Sequence, residues 1–219
     1  MAIEAILWDF GGVFTTSPFE AFTRYEARRG LPKNFIRKVN STNHESNAWA
    51  LFECSKINAQ EFDIKFLEES TALGYPVRGA DILPLLSSEL RPRMVAALRA
   101  CKQRFKIGCI TNNVIHANGP AMAANPDGAA RVGEVMQLFD AIIESSKTGI
   151  RKPNPKVYLM MCERLGVSPR ACVYLDDLGI NCKPAAGLGM KAIKVVDVDQ
   201  TLAELAAATG LDFDAEETA

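Results

Sequence analysis

The sequence predicts an α/β protein: a doubly wound parallel sheet with a block of helices inserted after its first strand. Three observations predict it. From Arg91 onward, short apolar runs alternate with segments of helical period, the pattern of a parallel sheet covered on both faces. A run of the same kind, Ile3–Trp8 with only Glu4 charged, stands near the start of the chain. Between Ser17 and about Leu90 no strand pattern occurs, so that stretch interrupts a sheet already begun. The expected division is a core of residues 1–16 and 91–219 with a helical unit of residues 17–90.

The first strand ends in Asp9-Phe10-Gly11-Gly12, where paired glycines let the backbone turn sharply and approach whatever Asp9 touches. Ser17-Pro18 reads as a helix start, serine as N-cap and proline in the first turn. Phe19, Phe22 and Tyr25 then recur at helical spacing until Gly30. Phe35–Val39 predicts a second helix, and Trp49, Leu51 and Phe52 a third. Asn58 and Glu61 form a capping-box pattern for a fourth, which ends at Gly74-Tyr75-Pro76. Pro92 opens a helix through Cys101, followed by a strand, Lys106–Ile110, that ends at Thr111-Asn112-Asn113. A polar stretch rich in Gly, Asn and Pro runs to Asp127-Gly128 and reads as a loop. Next come a helix near Val132–Phe139, a strand at Ala141–Ile143, and a loop holding Lys147 and Arg151-Lys152-Pro153. Pro155–Leu165 is a helix closed by Gly166, and Ala171–Leu175 is a strand ending in Asp176-Asp177. A helix over Asn181–Leu188, a strand over Ala192–Val196 and a helix from about Gln200 complete the core. The acidic tail Asp212–Ala219 is expected to fray.

With 219 residues, 48% of them hydrophobic, the chain can bury a sizeable core. Lys and Arg number 25 against 26 Asp and Glu, a net charge of −1. That balance argues against a nucleic-acid or anionic-membrane partner held by bulk charge, and leaves room for a local basic pocket. The six cysteines form no C-x-x-C and mostly sit in apolar runs, so they read as reduced core residues of a cytoplasmic protein. Two histidines, His44 and His116, argue against a histidine-based zinc site. No stretch approaches membrane-spanning length, and no basic segment precedes a long apolar run at the N-terminus.

Four chemically loaded spots follow four predicted strands: Asp9, Thr111-Asn112, Lys152 and Asp176-Asp177. In isolation each has an ordinary reading: helix cap, strand terminus or solvated loop lysine. A parallel sheet places all four strand ends on one edge, where ligands bind. Three clustered carboxylates repel one another unless a cation sits between them, and oxygen-only ligands suit Mg²⁺. A lysine and a threonine hydroxyl beside them complete a pocket for a tetrahedral dianion. A carboxylate there can attack phosphorus and form an aspartyl-phosphate, splitting one hard hydrolysis into two easier steps.

On these residues the chain resembles the haloacid dehalogenase-like hydrolases, phosphatase branch. Asp9 matches the family's nucleophile, Thr111 its second motif, Lys152 its third and Asp176-Asp177 its acidic fourth. Glu144-Ser145, Gly149, Lys152-Pro153, Pro155, Tyr158, Leu175-Asp176-Asp177, Gly179, Asn181 and Lys183-Pro184-Ala185 resemble the N-terminal phosphatase domains of soluble epoxide hydrolases. The resemblance implies a Rossmann-like core and reads the helical block as a cap that selects substrate. It implies Asp9, Lys152 and Thr111 as catalytic residues, and Thr111, Asn112, Gly12 and Lys152 as substrate-binding. Mg²⁺ would be held by Asp9, the Gly11 carbonyl and Asp177, with Asp176 acting through water. The family's usual aspartate two residues after the nucleophile, its general acid/base, is replaced here by Gly11.

The expected activity is Mg²⁺-dependent hydrolysis of a small phosphorylated metabolite. Two other readings stand beside it. A 2-haloacid dehalogenase would use the same aspartate on carbon without a metal, and Asp176-Asp177 counts against it. A degenerate member would bind a phosphorylated ligand without turnover, and Gly11 alone favours that. In the helical block, Trp49, Phe52, His44 and Glu45 are candidate pocket residues, with core packing the simpler role for the aromatics and solvent exposure for the other two. The pattern carries no sign of an oligomeric state.

Overall fold

The computed structural model describes residues 2–113 and 126–213. Five strands form one parallel sheet: β1 (Ala5–Trp8), β2 (Lys106–Thr111), β3 (Ala141–Glu144), β4 (Cys172–Asp176) and β5 (Lys191–Lys194), in the order β3-β2-β1-β4-β5. The chain's first strand is therefore the sheet's centre, and all four of its residues are buried. A parallel strand buried on both faces must be apolar throughout, which is why Ala5–Trp8 shows no alternation.

Side chains still alternate between faces. Ile6 and Trp8 point to one side with Ile107, Cys109, Val173 and Leu175. There they meet α6 (Pro92–Lys102), α7 (Pro126–Met136) and α11 (Val198–Thr209) through Met94, Leu98, Val135, Leu202 and Leu205. Ala5 and Leu7 point to the other side, onto α9 (Pro155–Leu165) and α10 (Gly179–Gly187). Gly108 of β2 lets α9 come close: a Cβ there would stand 2.7 Å from Met161 Sδ and 2.9 Å from Leu7 Cδ2. Helices on both faces make the sheet doubly wound, as the alternation of strands and helices predicts.

The stretch between β1 and β2 is helical, with its own hydrophobic cluster. It holds α1 (Phe19–Arg29), α2 (Phe35–Ser41), α3 (Ala48–Glu53), α4 (Ala59–Ala72) and α5 (Gly79–Ile82). Phe22, Phe35, Ile36, Trp49, Phe52, Phe62, Phe66 and Ile82 pack together there. Where the chain enters and leaves this block, Thr15 bridges Leu90, Thr16 N donates to Glu89 O at 2.9 Å and Arg91 N to Phe14 O at 2.7 Å.

Local signals set most boundaries. Asn58 and Glu61 form the reciprocal capping box at α4, and Gly30 and Gly166 close α1 and α9 in the left-handed region. Several expectations need correction. Pro18, not Ser17, is the N-cap of α1, in helical conformation and with no side-chain cap. Helix α7 starts at Pro126, so Asp127-Gly128 is helical and the helix ends before Phe139. Residues 114–125 of the predicted loop lie outside the described residues, as do 214–219 of the tail. A short helix, α8 (Ser145–Thr148), occupies part of the loop read between β3 and Lys152. Helix α5 and the 3₁₀ turn Leu83–Leu86 have no sequence expectation, being too short to show a period. The last strand starts one residue earlier and ends two residues earlier than expected, and Pro184 sits inside α10. Among the described residues no helix is long and apolar enough to cross a membrane. The six cysteines are free, four of them buried.

Polar contacts around Glu53 and Arg151 tie the helical block to the sheet's edge. Arg151 Nε donates to Glu53 Oε2 at 2.7 Å and its Nη1 to His44 O at 2.6 Å. Ser145 Oγ donates to Glu53 O at 2.6 Å. Both partners of the ion pair are largely shielded from water, with 22% and 16% of their side-chain area exposed. Hydrogen bonds to charged groups contribute about 1.5–3 kcal/mol when shielded and less when solvated. Glu53→Ala, which leaves Arg151 short of its carboxylate, is expected to lower unfolding free energy by about 1–3 kcal/mol. A urea titration of the variant against wild type checks this, and an unchanged midpoint would show that the contact holds nothing.

Candidate active site

Parallel strands present their carboxyl ends on one edge, and the structure brings the predicted residues together there. Asp9 follows β1 directly, with its N–H still in the ladder, donating to Leu175 O at 2.8 Å. Thr111 and Asp176 are the last residues of β2 and β4. Lys152 arrives from the loop after α8. That loop is held by a two-way contact with Asn112: Lys152 N donates to Asn112 Oδ1 at 2.9 Å, and Asn112 Nδ2 to Lys152 O at 3.1 Å.

The Lys152 side chain, 1% exposed, lies between two carboxylates. Its Nζ is 2.7 Å from Asp9 Oδ1 and 2.8 Å from Asp176 Oδ2. Burial alone would push the ammonium toward its neutral form, but Asp176 and then Asp9 hold it charged, well above the ordinary lysine range. Asp9 Oδ1 also accepts from Phe10 N at 2.7 Å, so that oxygen is pinned from two sides. Burial raises the Asp9 carboxyl well above the usual range, Asp176 and Asp177 add to the rise, and Lys152 opposes it.

Asp176 is fully buried and its lone pairs are occupied. Besides Lys152, it accepts from Tyr174 Oη, from Asn181 Nδ2 at 3.0 and 3.1 Å, and from Leu178 N at 2.8 Å. Tyr158 Oη donates to Asn181 O at 2.8 Å and extends the network one shell outward. Asp177 sits differently. It lines the cavity, and burial followed by the charge of Asp176 pushes its carboxyl up to about 6.

Oxygen atoms of Asp9, Asp176 and Asp177 lie within 4.8 Å of one another. Three carboxylates against one ammonium leave two negative charges in a shielded site. A divalent cation with oxygen ligands cancels that surplus, so the donor set and the charge both fit Mg²⁺. The loop after β1 is shaped for this cluster. Gly12 has φ +76°, and a Cβ there would stand 2.3 Å from Asp177 Oδ2. Any side chain at position 12 would force the Asp177 carboxylate to move.

A cavity of about 550 Å³ opens over the strand ends. Asp9, Gly11, Gly12, Thr111, Asn112, Lys152 and Asp177 line it; Asp176 lies beneath. Its far wall comes from the helical block, including Phe19, Phe22, Arg37, His44, Trp49 and Glu53. Of the four pocket candidates in that block, Trp49 and His44 line the cavity. Phe52 packs inside the helical cluster, and Glu45 is exposed away from the wall. Trp49 belongs to both the cavity wall and the cluster. Sequence reasoning on chemistry missed Tyr174, Glu53, Arg151 and Arg37; Tyr158 and Asn181 were signalled only through the family resemblance.

Comparison with known proteins agrees with this architecture. The model of the haloacid dehalogenase-like hydrolases matches residues 3–189. Bifunctional epoxide hydrolase 2 of Sus scrofa is 29% identical over 226 residues, which cover 97% of this chain and 40% of that protein. The chain thus spans less than half the length of this relative. Phosphatase MT3486 of Mycobacterium tuberculosis (strain CDC 1551 / Oshkosh) is 26% identical over 216 residues, 92% of this chain and 91% of the relative. Among solved structures, the HAD-family enzyme bt-2542 from Bacteroides thetaiotaomicron, in complex with magnesium and inorganic phosphate, superposes with a TM-score of 0.58 at 18% identity. That alignment covers 88% of this chain and 94% of the other, a likeness of fold. With a family model spanning residues 3–189 and a parallel sheet that gathers Asp9, Lys152 and the Asp176-Asp177 pair at one edge, the chain is an enzyme of the haloacid dehalogenase-like hydrolase family.

Proposed function

We propose that this hydrolase is a Mg²⁺-dependent phosphomonoesterase acting on a small phosphorylated molecule through an aspartyl-phosphate on Asp9. The observation that carries this reading is the charge of the site: three carboxylates and one buried ammonium at the floor of a cavity, Asp176 beneath it. The names of the Mycobacterium phosphatase and of the magnesium and phosphate complex support it. The helical block of residues 17–90 acts as the cap. A dehalogenase reading leaves the surplus negative charge of Asp177 without a use.

Asp9, Asp177 and the Gly11 carbonyl would hold the cation. Asp176 instead holds Lys152, because its oxygens are already engaged. When bound, Mg²⁺ neutralises charge on the carboxylates and on the phosphoryl oxygens. A carboxylate oxygen of Asp9 attacks phosphorus; the O–P bond to Asp9 forms as the P–O bond to the alcohol breaks. Lys152 and the Thr111 hydroxyl stabilise the transferring oxygens. The departing oxygen takes its proton from water, since position 11 offers no carboxyl. Water then cleaves the aspartyl-phosphate, releasing inorganic phosphate and restoring Asp9.

Asp9→Asn removes the nucleophile with little change in volume. Phosphate release is expected to fall by more than about 10³-fold in a variant that keeps its circular dichroism and melting temperature. Wild-type-like turnover by that folded variant would rule out the covalent route.

Asp177 gives the pH dependence. Its folded carboxyl titrates at about 6 against an ordinary 3.8, so below about pH 6 a binding cation must displace a proton. Mg²⁺ affinity is therefore expected to rise with pH through that range, with Asp177→Asn removing the part of the rise that Asp177 contributes. The folded state holds the extra proton, so for this group the metal-free protein loses stability as pH increases from about 4 to 6. Calorimetric titration with Mg²⁺ at several pH values checks the first statement, and melting curves without metal the second.

Gly11 is exposed, lies outside the left-handed region, and a Cβ there meets nothing within 4 Å. An aspartate fits without strain. General acid catalysis contributes about 10²–10⁴-fold, most for poor leaving groups. Gly11→Asp is expected to raise turnover of an alkyl phosphate by about 10-fold or more, and of an aryl phosphate by less. Parallel assays of the two esters decide it; equal or lower turnover of both would mean another group already supplies the proton.

A further inference from the structure

Helix α2 has two faces of opposite character. Phe35, Ile36 and Val39 are buried in the helical cluster. Arg37, Asn40 and Ser41, followed by His44 just past the helix end, fall at i, i+3, i+4 and i+7 and line the cavity. This polar stripe faces the same space as Asp9 and Lys152.

Arg37 differs from the other cations of that wall. Lys152 is neutralised by Asp9 and Asp176, and Arg151 by Glu53. Among the described residues, no carboxylate lies within ion-pair distance of Arg37, and its side chain makes no hydrogen bond. Its guanidinium lies over the ring of Phe19, 4.3 Å from the centroid, and Phe19 itself lines the cavity. Stacking of this kind holds a planar cation in place while leaving its fork of N–H donors and its charge available. The cavity that Arg37 shares with Asp9 and Lys152 also has apolar lining from Phe10, Phe22, Trp49, Leu86 and Met136.

We propose that Arg37 is a second anion subsite, and that the substrate is a phosphomonoester whose apolar body carries a second acidic group, a carboxylate or a phosphate. The inference rests on the phosphatase reading and names the substrate class for it. The phosphoryl group to be cleaved lies at Asp9 and Lys152, the body lies along the aromatic walls, and the distal acid accepts from the guanidinium fork of Arg37. A guanidinium pairs in bidentate fashion with either acid, so the chemistry of the subsite admits both.

The test measures kcat/KM with Mg²⁺ for two matched pairs of probes: phenyl phosphate against 3-(4-phosphonooxyphenyl)propanoate, and hexyl phosphate against 1,6-hexanediol bisphosphate. Wild type is expected to prefer the doubly acidic member of at least one pair by about 10-fold or more, the size of a charge-assisted hydrogen-bonded contact. Which pair shows the preference tells carboxylate from phosphate. Arg37→Gln should collapse that ratio toward one, Arg37→Lys should retain part of it, and Lys38→Gln, an exposed neighbour off the cavity wall, should keep it. Ratios near one in wild type for both pairs, or a ratio unchanged in Arg37→Gln, would overturn the subsite while leaving the phosphatase reading intact. No hydrolysis of any probe by wild type would overturn both.

Discussion

The site depends on one buried ammonium. Lys152 bonds to Asp9 and Asp176 at once, and each bond holds a different part of the machinery. Removing a lysine from water is costly, and here the cost is offset only because two carboxylates arrive from adjacent strand ends. Those carboxylates in turn could not be buried side by side without it. Strand order therefore becomes electrostatics: β1 and β4 are neighbours in the sheet, so Asp9 and Asp176 are neighbours in charge.

Around that ammonium the acids divide their work. Asp176 is saturated by Lys152, Tyr174, Asn181 and the Leu178 amide, and behaves as a fixed part of the frame. Asp177, next in sequence, faces the cavity with a carboxyl that titrates near 6. The glycines of the preceding loop divide similarly. Gly12 is required by space, because Asp177 occupies the position of its missing side chain. Gly11 is open to solvent and unstrained, so nothing about packing demands it. Its significance is chemical: the position that would carry an acid carries none.

The helical block completes the enclosure from the opposite side. It has its own hydrophobic cluster, and the Glu53–Arg151 contact ties it to the loop at the strand ends. Arg151 adjoins Lys152 in sequence, so the residue that holds the block and the residue that holds the acids share one loop.

Strand-length apolar runs, paired glycines after Asp9, the Asn58–Glu61 capping box and the Gly30 and Gly166 stops were all legible in the sequence, because each is a local matter of backbone and neighbouring side chains. The rule that parallel strands end on one edge then made Asp9, Thr111, Lys152 and Asp176-Asp177 a single candidate site. The short α5 and α8 and the true start of α7 were not legible, since one-turn helices carry no period and Asp127-Gly128 resembles a turn. Nor were the partners of the site. Arg151 meets Glu53 across 98 positions of chain, and Lys152 meets Asp176 across 24. The sequence by itself determined which chemically loaded residues follow the strands and on which sheet edge they meet. Only the tertiary structure decided which acid is locked in the frame, which faces the cavity and which arginine of the helical block lines that cavity over an aromatic ring, because those outcomes depend on distances between segments that packing alone brings together.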